Sequence, residues 1–509
     1  MNNLKQKALH MLRKFRMSGA NYLDASLING FFGRNVKGPL VGAFIRMLPA
    51  CGLGATKFRV GVICMFVSHC FAIYKFQGMK GLVIRLKAAT VLLQQSLAWF
   101  VLSDVTPLGC RVARGSRGIP RLIPYQHRCL LQAGDTSLMR FYLTLFNVYR
   151  VLEMPGKLKM GSITAPFSGA FDTVYFDLIA YIVPFVALLR GRAGDRLKSG
   201  VISPGPILKS APGTGGPVIS THPLILMMSA GNLKRVGLDS CIIYFMNMFK
   251  CPDVRYPGIL RLFLEARDSV WTQSALLAPS GNYALGRLGF KAEAAGKVRV
   301  FAMVDAWTQW VLEPLHREIF RILKFLPADG TFDQLAPVRK YVSWPSAYSL
   351  DLTAATDRVP LSLQIALLSS LYGSEFATMW GRLLVDRDYD YYNKTYAPEG
   401  GTVRYSVGQP MGALSSWAML ALTHHFIVHC AAWRSGLIPV GSIYSNYAVL
   451  GDDLVLGDRV VKDAYLTILK TLGVECGLHK SVLSSRGVGI EFAKKTLING
   501  VDVSPVPVA

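Results

Sequence analysis

The stretch Tyr447-Ala-Val-Leu-Gly-Asp-Asp-Leu-Val-Leu-Gly-Asp458 places two adjacent acids, Asp452 and Asp453, between two apolar runs. Apolar residues on both sides of a Gly-Asp-Asp tip predict a short β-hairpin with the acids at its turn. Like charges this close raise each other's pKa unless a cation lies between them. The pattern therefore predicts a divalent-metal site, and all-oxygen ligands favour Mg²⁺ or Mn²⁺. An isolated Gly-Asp-Asp also fits an ordinary exposed turn, so other residues must decide.

A second pair of acids, Asp351 and Asp357, precedes an apolar segment at 361–372. A proline before this segment and a glycine after it predict a helix, with the acids on its approach at the end of a strand. If that strand lies beside the hairpin, Asp351 and Asp452 can hold two metals from facing positions, as in phosphoryl transfer. Asp357 is then left for another contact, such as a ribose hydroxyl. Taken alone, the segment also fits a capped surface helix.

A Gly-rich turn leads into a long apolar helix between Gly408 and His425. Glycine lets the backbone approach a ligand closely, and small hydroxyls at a helix start can contact a sugar or a phosphate. The turn alone is a weak signal. The signal becomes specific because the motifs follow one another along the chain: first Asp-x5-Asp, then the Gly-rich turn with its Ser-Ser pair, and then Gly-Asp-Asp.

With these motifs in this order, the chain resembles the RNA-dependent RNA polymerases of positive-strand RNA viruses, and among them those of mitoviruses and related narnaviruses. The likeness extends roughly from Lys291 to Lys495. It is carried by DLTAATDRVP, GQPMGALSSWAMLALTHH, YAVLGDDLVLGD, AGKVRVFAMVDAWTQWVLEPLH, DGTFDQ and EFAKK, with weaker matches in SRGIPRLIP and ILKSAPGTGG.

The resemblance implies an α+β right-hand polymerase with an antiparallel-sheet palm, fingers and a largely helical N-terminal region. The implied division is a basic N-terminal region at 1–150, fingers at 151–344 with a basic strand at 291–304, palm at 345–375, a fingers insertion at 376–407, palm again at 408–498 and a tail at 499–509. Only 14 residues follow Lys495, so the thumb is expected to be short or absent. Either the basic N-terminal region or a partner then closes the RNA channel, or the chain is a truncated product.

The implied activity is replication of a positive-strand viral RNA genome by template-directed, two-metal nucleotidyl transfer from nucleoside triphosphates. Asp351, Asp452 and Asp453 are then the catalytic and metal-binding acids, with Mg²⁺ or Mn²⁺ as the cofactor. Lys480, between the Gly-Asp-Asp and EFAKK strings, is the predicted general acid for the departing pyrophosphate. An exposed surface lysine is the alternative for Lys480.

Substrate contacts are expected from the turn and from a basic strand. Alternating cations on one strand face can neutralise a triphosphate and the template, although a solvated face is the alternative. The predicted substrate-binding residues are Asp357, Gly412, Ser415, Ser416, Lys291, Lys297 and Arg299. Spacing from Gly412 favours Ser416 over Ser415 as the ribose contact. Leu420 stands where many viral polymerases keep an asparagine that helps to select ribose. Asp305 fits an N-cap for a helix at 306–326.

Positive charge concentrates at the N-terminal end, where residues 1–150 hold 21 Lys and Arg against three acids in a chain of net charge +25. This favours RNA phosphates or an anionic membrane surface as partner, with peripheral membrane association. Five arginines in the segment 107–128 predict a flexible loop that touches phosphates; they are Arg111, Arg114, Arg117, Arg121 and Arg128. The apolar runs at 60–74 and 178–189 are shorter than a bilayer span and predict buried helices.

Localisation follows from the resemblance, because mitoviruses are translated inside mitochondria; the host cytoplasm is the alternative. The first 23 residues imitate a transit peptide, with five basic residues and no acid. Nine cysteines without a Cys-x-x-Cys pair argue against a zinc ribbon and a disulfide scaffold. The histidines at 424, 425 and 429 lack a second ligand cluster, which favours a structural helix face over a zinc site.

Two rival functions share these motifs. A reverse transcriptase-like polymerase has similar acids, but Gly451 stands where that class normally carries another residue before its Asp-Asp pair. An RNA-binding protein with an inactive polymerase domain is the second rival, and the intact acids argue against it.

Overall fold

The computed structural model describes residues 37–170, 173–193, 210–212, 218–219, 222–248, 256–269, 285–339, 346–477, 481–484 and 489–507. Within these ranges helices combine with mainly antiparallel sheets, which confirms the predicted α+β class. The first 36 residues, which include the basic segment that imitates a transit peptide, lie outside the described residues.

Helices account for most of the regular structure. In chain order they are α1 (Lys37–Arg46), α2 (Lys57–Leu97), α3 (Tyr125–Gln132), α4 (Thr136–Asn147), α5 (Gly161–Thr164), α6 (Thr173–Ala180), α7 (Ile182–Ala193), α8 (Pro223–Arg235), α9 (Asp239–Met248), α10 (Tyr256–Asp268), α11 (Ala306–Leu323), α12 (Ala336–Arg339), α13 (Ala355–Arg358), α14 (Leu361–Tyr372), α15 (Ser374–Val385), α16 (Ser416–Arg434) and α17 (Arg459–Thr471).

The strands of the described residues form four separate sheets. In chain order they are β1 (Ser210–Ala211), β2 (Val218–Ile219), β3 (Gly286–Glu293), β4 (Lys297–Val304), β5 (Ala347–Asp351), β6 (Tyr389–Asn393), β7 (Ala397–Val403), β8 (Tyr447–Leu450), β9 (Asp453–Leu456), β10 (Val482–Ser484), β11 (Gly489–Phe492), β12 (Lys495–Ile498) and β13 (Val501–Asp502).

The sheet that carries the acids, called the central sheet below, has the strand order β10-β5-β9-β8 and is antiparallel throughout. Its strands are short and almost entirely buried, as their apolar composition predicts. Helices α16 and α17 pack together and cover it, and α16 also contacts α11. The predicted Gly-Asp-Asp hairpin is confirmed as β8–β9, and the predicted strand that ends at Asp351 is confirmed as β5.

A second sheet, the hairpin sheet, has the order β4-β3-β6-β7. It joins the basic hairpin β3–β4 to β6 and β7, which come from the stretch predicted as an insertion. At the end of β4, the carboxylate of Asp305 accepts the N–H of Thr308 at 2.9 Å and so caps α11, as predicted. Asp305 also forms a fully buried ion pair with Arg387 at 2.5 Å, which ties α11 to the segment before β6.

Helices α1 to α4 build a second hydrophobic core around Phe44, Phe66, Phe141 and Phe146. The long helix α2 is interrupted at Gly78, whose φ of 66° breaks the helical backbone. By length and composition α2 could cross a membrane, which corrects the prediction that the apolar run at 60–74 is too short. About half of its residues are buried among its neighbours, so α2 also fits the core helix of a soluble protein. Every cysteine in the described ranges is a free thiol.

The C-terminal sheet, with the order β11-β12-β13, connects this helical region to the central sheet. Ile498 and Val503 belong to the core of the helical region, and β11 packs against β5 and β9. Gln94 of α2 donates to the hydroxyl of Thr496 on β12 at 3.0 Å. The two ends of the described chain therefore meet beside the acids.

Candidate active site

The turn of the β8–β9 hairpin depends on glycine. Gly451 has a φ of +61°, and a Cβ at this position would lie 3.0 Å from the indole nitrogen of Trp417 on α16. A side chain here would therefore be strained in the backbone and crowded by the indole. The glycine fixes the position from which Asp452 projects, and Asp452 is exposed.

A buried histidine holds this turn in place. The carbonyl of Gly451 accepts a hydrogen bond from Nδ1 of His424 at 2.7 Å, and Nε2 of His424 lies 2.7 Å from the hydroxyl of Tyr465 on α17. Burial lowers the pKa of His424 to about 4, so the ring is neutral near pH 7. Because Nδ1 carries the proton, Nε2 accepts the Tyr465 hydroxyl proton. This histidine locks the turn and is not a metal ligand.

Asp351 and Asp453 lie opposite each other on neighbouring strands, in register between β5 and β9. Burial is the largest cause that raises the pKa of Asp453 to about 6, followed by the charges of Asp452 and Asp351. The structure thus brings together the three acids that the sequence predicts, across a separation of a hundred positions along the chain.

A further carboxylate, which the sequence reasoning did not assign, lies at the same place. Glu491 on β11 has its pKa raised to about 7, mainly by burial and then by the charge of Asp453, while Arg150 opposes the shift. Its backbone N–H donates to the hydroxyl of Ser349 on β5 at 2.9 Å, which fixes β11 beside the central sheet. The EFAKK string contains this residue, but only the fold shows that it faces Asp453.

The turn after Glu491 also contacts Asp453. The backbone N–H of Ala493 donates to the Asp453 carboxylate, and the ammonium of exposed Lys494 lowers the pKa of Asp453. Lys494 also lowers the pKa of Glu293 on the hairpin sheet, after the larger effect of Arg299. Lys494 therefore carries positive charge between the central sheet and the hairpin sheet.

The donor set fits a divalent cation in its chemistry. All its ligand atoms are carboxylate oxygens, and their mutual repulsion is what a hard cation relieves. Within the described residues, no three His, Cys, Asp or Glu side chains converge tightly enough to hold a metal ion. The carboxylates form an open set, so metal binding stays a prediction.

Asp357 lies on α13 and is already engaged. Its carboxylate accepts the hydroxyl of Ser162 at 2.7 Å, and burial raises its pKa. The backbone of this segment pairs with the Gly-rich turn, because the N–H of Gly408 donates to the carbonyl of Asp357 at 3.0 Å. A ribose contact by Asp357 would have to share or displace the Ser162 hydroxyl.

The Gly-rich turn touches helix α13 and strand β4 of the hairpin sheet through backbone atoms. A Cβ at Gly408 would lie 2.3 Å from the carbonyl of Thr356, and one at Gly412, whose φ is +119°, would lie 2.3 Å from the carbonyl of Ala302 on β4. The N–H of Ala302 in turn donates to the carbonyl of Met411 at 2.6 Å. Both glycines are therefore required by close packing of backbone on backbone.

The two serines after this turn have different surroundings. The hydroxyl of Ser415 accepts the indole N–H of Trp380 at 2.9 Å, and the φ of Ser415 is +67°. The hydroxyl of Ser416 is buried and has no hydrogen-bond partner in the described part of the chain. An unpaired buried hydroxyl is costly, so Ser416 is better placed than Ser415 to receive a ligand.

The predicted basic strand at 291–304 is instead a hairpin, with Lys291 on β3 and with Lys297 and Arg299 on β4. The cations of this hairpin face a glutamate. Lys291 lies opposite Arg299, and Glu293 lies opposite Lys297, so all four side chains share one face of the hairpin. Arg299 pairs with Glu293 at 2.8 Å and Lys297 with the same carboxylate at 3.8 Å. Lys291 and Lys297 are exposed. Lys480, the predicted general acid, lies outside the described residues.

The DGTFDQ string supports the hairpin. The N–H of Gly330 donates to the carbonyl of Val449 at 2.8 Å, and the carboxylate of Asp329 lies 3.0 Å from Nε2 of His425. Nδ1 of His425 contacts the hydroxyl of Tyr447 at 2.6 Å. The string thus braces the outer strand β8, a role that no sequence pattern indicated.

Comparison with known proteins gives the family. The sequence model of the mitovirus RNA-dependent RNA polymerase family matches residues 209–509. The chain belongs to this family. The match includes the acids, the Gly-rich turn and the C-terminal sheet.

The relatives of this mitovirus-family chain include a viral enzyme and plant mitochondrial proteins. It is 31% identical to the RNA-directed RNA polymerase of Cryphonectria parasitica mitovirus 1 over 370 residues, which cover 69% of this chain and 41% of that protein. It is 36% identical over 191 residues to an uncharacterised mitochondrial protein of Arabidopsis thaliana, covering 36% of this chain and 74% of that protein.

The fold agrees with a solved polymerase. The in situ structure of the BmCPV RNA-dependent RNA polymerase at the elongation state aligns with a TM-score of 0.51 and 11% identity, covering 92% of this chain and 43% of that one. At this identity the likeness concerns the fold alone.

Proposed function

We propose that this chain is an RNA-dependent RNA polymerase that copies a positive-strand RNA genome from nucleoside triphosphates. The observation that carries the proposal is the register of Asp351 opposite Asp453, with Asp452 at the adjoining turn. Family membership supports the same activity.

Asp351, Asp452 and Asp453 would hold two Mg²⁺ ions. When bound, Mg²⁺ activates the attacking 3′-hydroxyl and neutralises the triphosphate and the departing pyrophosphate. Burial, and then the charges of Asp452 and Asp351, raise the pKa of Asp453 to about 6, and a bound cation would offset both effects by stabilising the ionised carboxylate. The N–H of Ala493 donates to the Asp453 carboxylate and would help to orient it.

The remaining residues would bind the nucleotide and the RNA. Lys291, Lys297 and Arg299 neutralise phosphates on the open face of the hairpin sheet, where an incoming triphosphate competes with Glu293 for them. Ser416, with its unpaired hydroxyl, and Asp357 contact the ribose. Lys480 donates the proton to pyrophosphate. The Arabidopsis and mitovirus relatives support a mitochondrial location in the host.

Primer extension by the purified full chain tests this function. The reaction contains an RNA template, a labelled primer, four nucleoside triphosphates and Mg²⁺, and the matched protein carries Asp452→Asn. We expect extension by the unaltered chain and none by the variant. An RNA-binding protein with an inactive polymerase domain would bind the template and extend nothing in either form, and equal extension by both proteins would exclude the proposed site.

A further inference from the structure

An exposed aromatic–arginine pair lies at the end of helix α2, outside the site described so far. The guanidinium carbon of Arg117 is 4.2 Å from the ring centroid of Trp99, which is within the range of a cation–π contact. Trp99 is 49% exposed, and Arg117 is exposed as well. A large aromatic ring that stacks with a cation at the surface offers one face to a ligand.

Both members of the pair have unusual backbone angles. Trp99 has a φ of 63° and Arg117 a φ of 56°, in the left-handed region that bulky residues rarely occupy. Such strain persists only where the surrounding structure imposes it, and it is concentrated at functional positions.

The segment that presents Arg117 is ordered by its own hydrogen bonds, which corrects the prediction of a flexible loop. The hydroxyl of Ser96 donates to the carbonyl of Arg117 at 2.8 Å, and the N–H of Arg121 donates to the carbonyl of Ala113 at 2.8 Å. Ile119 is buried in the helical core. The segment that carries Arg117 is therefore ordered before any ligand binds, which lowers the entropic cost of binding.

Positive charge surrounds the pair without acidic partners. In the described residues, Arg111, Arg117 and Arg121 are exposed and none forms an ion pair with a carboxylate. The nearest acid in sequence, Asp104, accepts the N–H of Thr106 in its own turn at 2.8 Å. Such a surface is complementary to a polyanion.

The pair of Trp99 and Arg117 lies next to the candidate active site. Gln95, one turn before Trp99, donates to the carbonyl of Ser481 at 3.1 Å, directly before β10. A Cβ on Gly489, at the start of β11, would lie 2.4 Å from the Cβ of Ala98. Strand β11 ends three residues later at the turn that contacts Asp453, which is about 10 Å along a strand.

We infer that Trp99 and Arg117, with Arg121 beside them, form a binding platform for single-stranded RNA that enters or leaves the neighbouring active site. This inference rests on the proposed function, which places RNA beside Asp453. The indole stacks on a base, and the guanidinium groups neutralise phosphates, a combination that tolerates any sequence. An anionic membrane is the less favoured partner, because the segment is a turn-rich loop and not an amphipathic helix.

Fluorescence anisotropy of a labelled, unstructured 20-nucleotide RNA tests the platform with the full chain and no nucleotides. Trp99→Gly removes the ring and accepts the positive φ, so the variant is expected to fold. We expect it to bind RNA about ten-fold more weakly. Arg117→Gly, at a similar φ, is expected to weaken binding and to reduce the slope of log affinity against log salt by about one.

A matched control exists on the same helix. Lys75 lies 5.8 Å from the ring of Phe76, which is 80% exposed and lies before the kink at Gly78, whereas Trp99 follows the other end of α2. Phe76→Ala removes an exposed aromatic–cation pair on the other side of this kink, and its RNA affinity is expected to stay within two-fold of the unaltered chain. Equal loss in Phe76→Ala and Trp99→Gly would overturn the inference, because binding would then follow general surface charge.

The remaining outcomes separate this inference from the proposed function. Unchanged RNA affinity in Trp99→Gly overturns the platform even when the unaltered chain extends a primer. Weaker RNA binding in Trp99→Gly supports it even when no protein extends a primer, in which case the polymerase activity fails alone. Loss of sedimentation with phosphatidylserine vesicles, at unchanged RNA affinity, would assign the pair to a membrane and overturn the inference.

Discussion

Two β-hairpins meet at Asp453, and their turns differ in the residue types that occupy the positions of positive φ. The β8–β9 turn has glycine at its positive φ, as hairpin turns normally require. The β11–β12 turn places Ala493 and Lys494 at φ values of 52° and 64°, where residues other than glycine cost roughly 1 kcal/mol each. The acids of the β8–β9 hairpin could therefore be predicted from sequence rules, whereas the β11–β12 turn that contacts Asp453 carries residues that those rules disfavour.

The largest expected effect concerns Asp351, which lies opposite Asp453 on the neighbouring strand. Asp351→Asn is expected to lower nucleotide incorporation on the order of a thousand-fold, because a metal ligand contributes several kcal/mol to the transition state. Thermal stability should stay equal or rise, since one charge beside Asp453 disappears. Asp386→Asn, at an exposed carboxylate directly after α15, is the control. A comparable loss in both variants would contradict a specific role for Asp351.

A smaller effect is expected from the histidine behind the first turn. His424→Phe leaves the Gly451 carbonyl and the Tyr465 hydroxyl without their partner, which is expected to cost about 2–3 kcal/mol. The matched variant is His429→Phe. Nδ1 of His429 contacts the carbonyl of His425 in the same helix at 2.8 Å, while Nε2 is buried without a partner in the described residues. Losing one bond and removing one unpaired nitrogen largely offset each other, so this substitution should cost about 1 kcal/mol or less. Chemical denaturation measures both, and equal costs would contradict the role given to His424.

Glu491, at the second hairpin, gives a dependence on pH. Folding raises its pKa from 4.5 to about 7, so its stabilising contribution is complete below pH 4.5 and is lost as the pH rises through 7. In metal-free protein at pH 8, Glu491→Gln is expected to be more stable by about 1–2 kcal/mol. Glu399→Gln, at an exposed glutamate on β7, is the control. Parallel stability–pH curves for the unaltered chain and Glu491→Gln would refute the assignment.

Substitutions at the positive-φ positions of the two turns are expected to give the smallest effects on stability and activity, and they compare the two hairpins directly. Gly451→Ala is expected to destabilise the protein by about 1–2 kcal/mol and to reduce extension, because of its φ and the nearby Trp417. Ala493→Gly is expected to stabilise it by about 1 kcal/mol with extension retained, because the N–H that contacts Asp453 remains. Thermal melts and extension rates measure both, and loss of activity in Ala493→Gly would show that the methyl group matters.

Local features of this fold could be predicted where a residue acts through its own neighbourhood. The β8–β9 hairpin, the strand that ends at Asp351 and the Asp305 cap follow from apolar patterning and capping chemistry. Apart from the approach of Asp351 to the hairpin, contacts between distant segments could not be predicted. Glu491 beside Asp453 and Ser162 on Asp357 arise only when the chain folds, since neither has a local signature.

The long helix α2 shows another limit. Its apolar run at 60–74 is short, yet helical structure resumes after the kink at Gly78 and extends to Leu97, and both parts contribute residues to the second core. The ordered arginine segment after it likewise depends on backbone hydrogen bonds that composition does not reveal.

Divalent-cation binding by the acids of β5 and of the β8–β9 hairpin is the central claim made here for this protein. Mn²⁺ titration followed by electron paramagnetic resonance measures this binding directly. At pH 8 the full chain is expected to bind Mn²⁺, and Asp452→Asn and Asp351→Asn are each expected to lose most of that binding while keeping their fold. Equal Mn²⁺ binding by the unaltered chain and both variants would contradict the account.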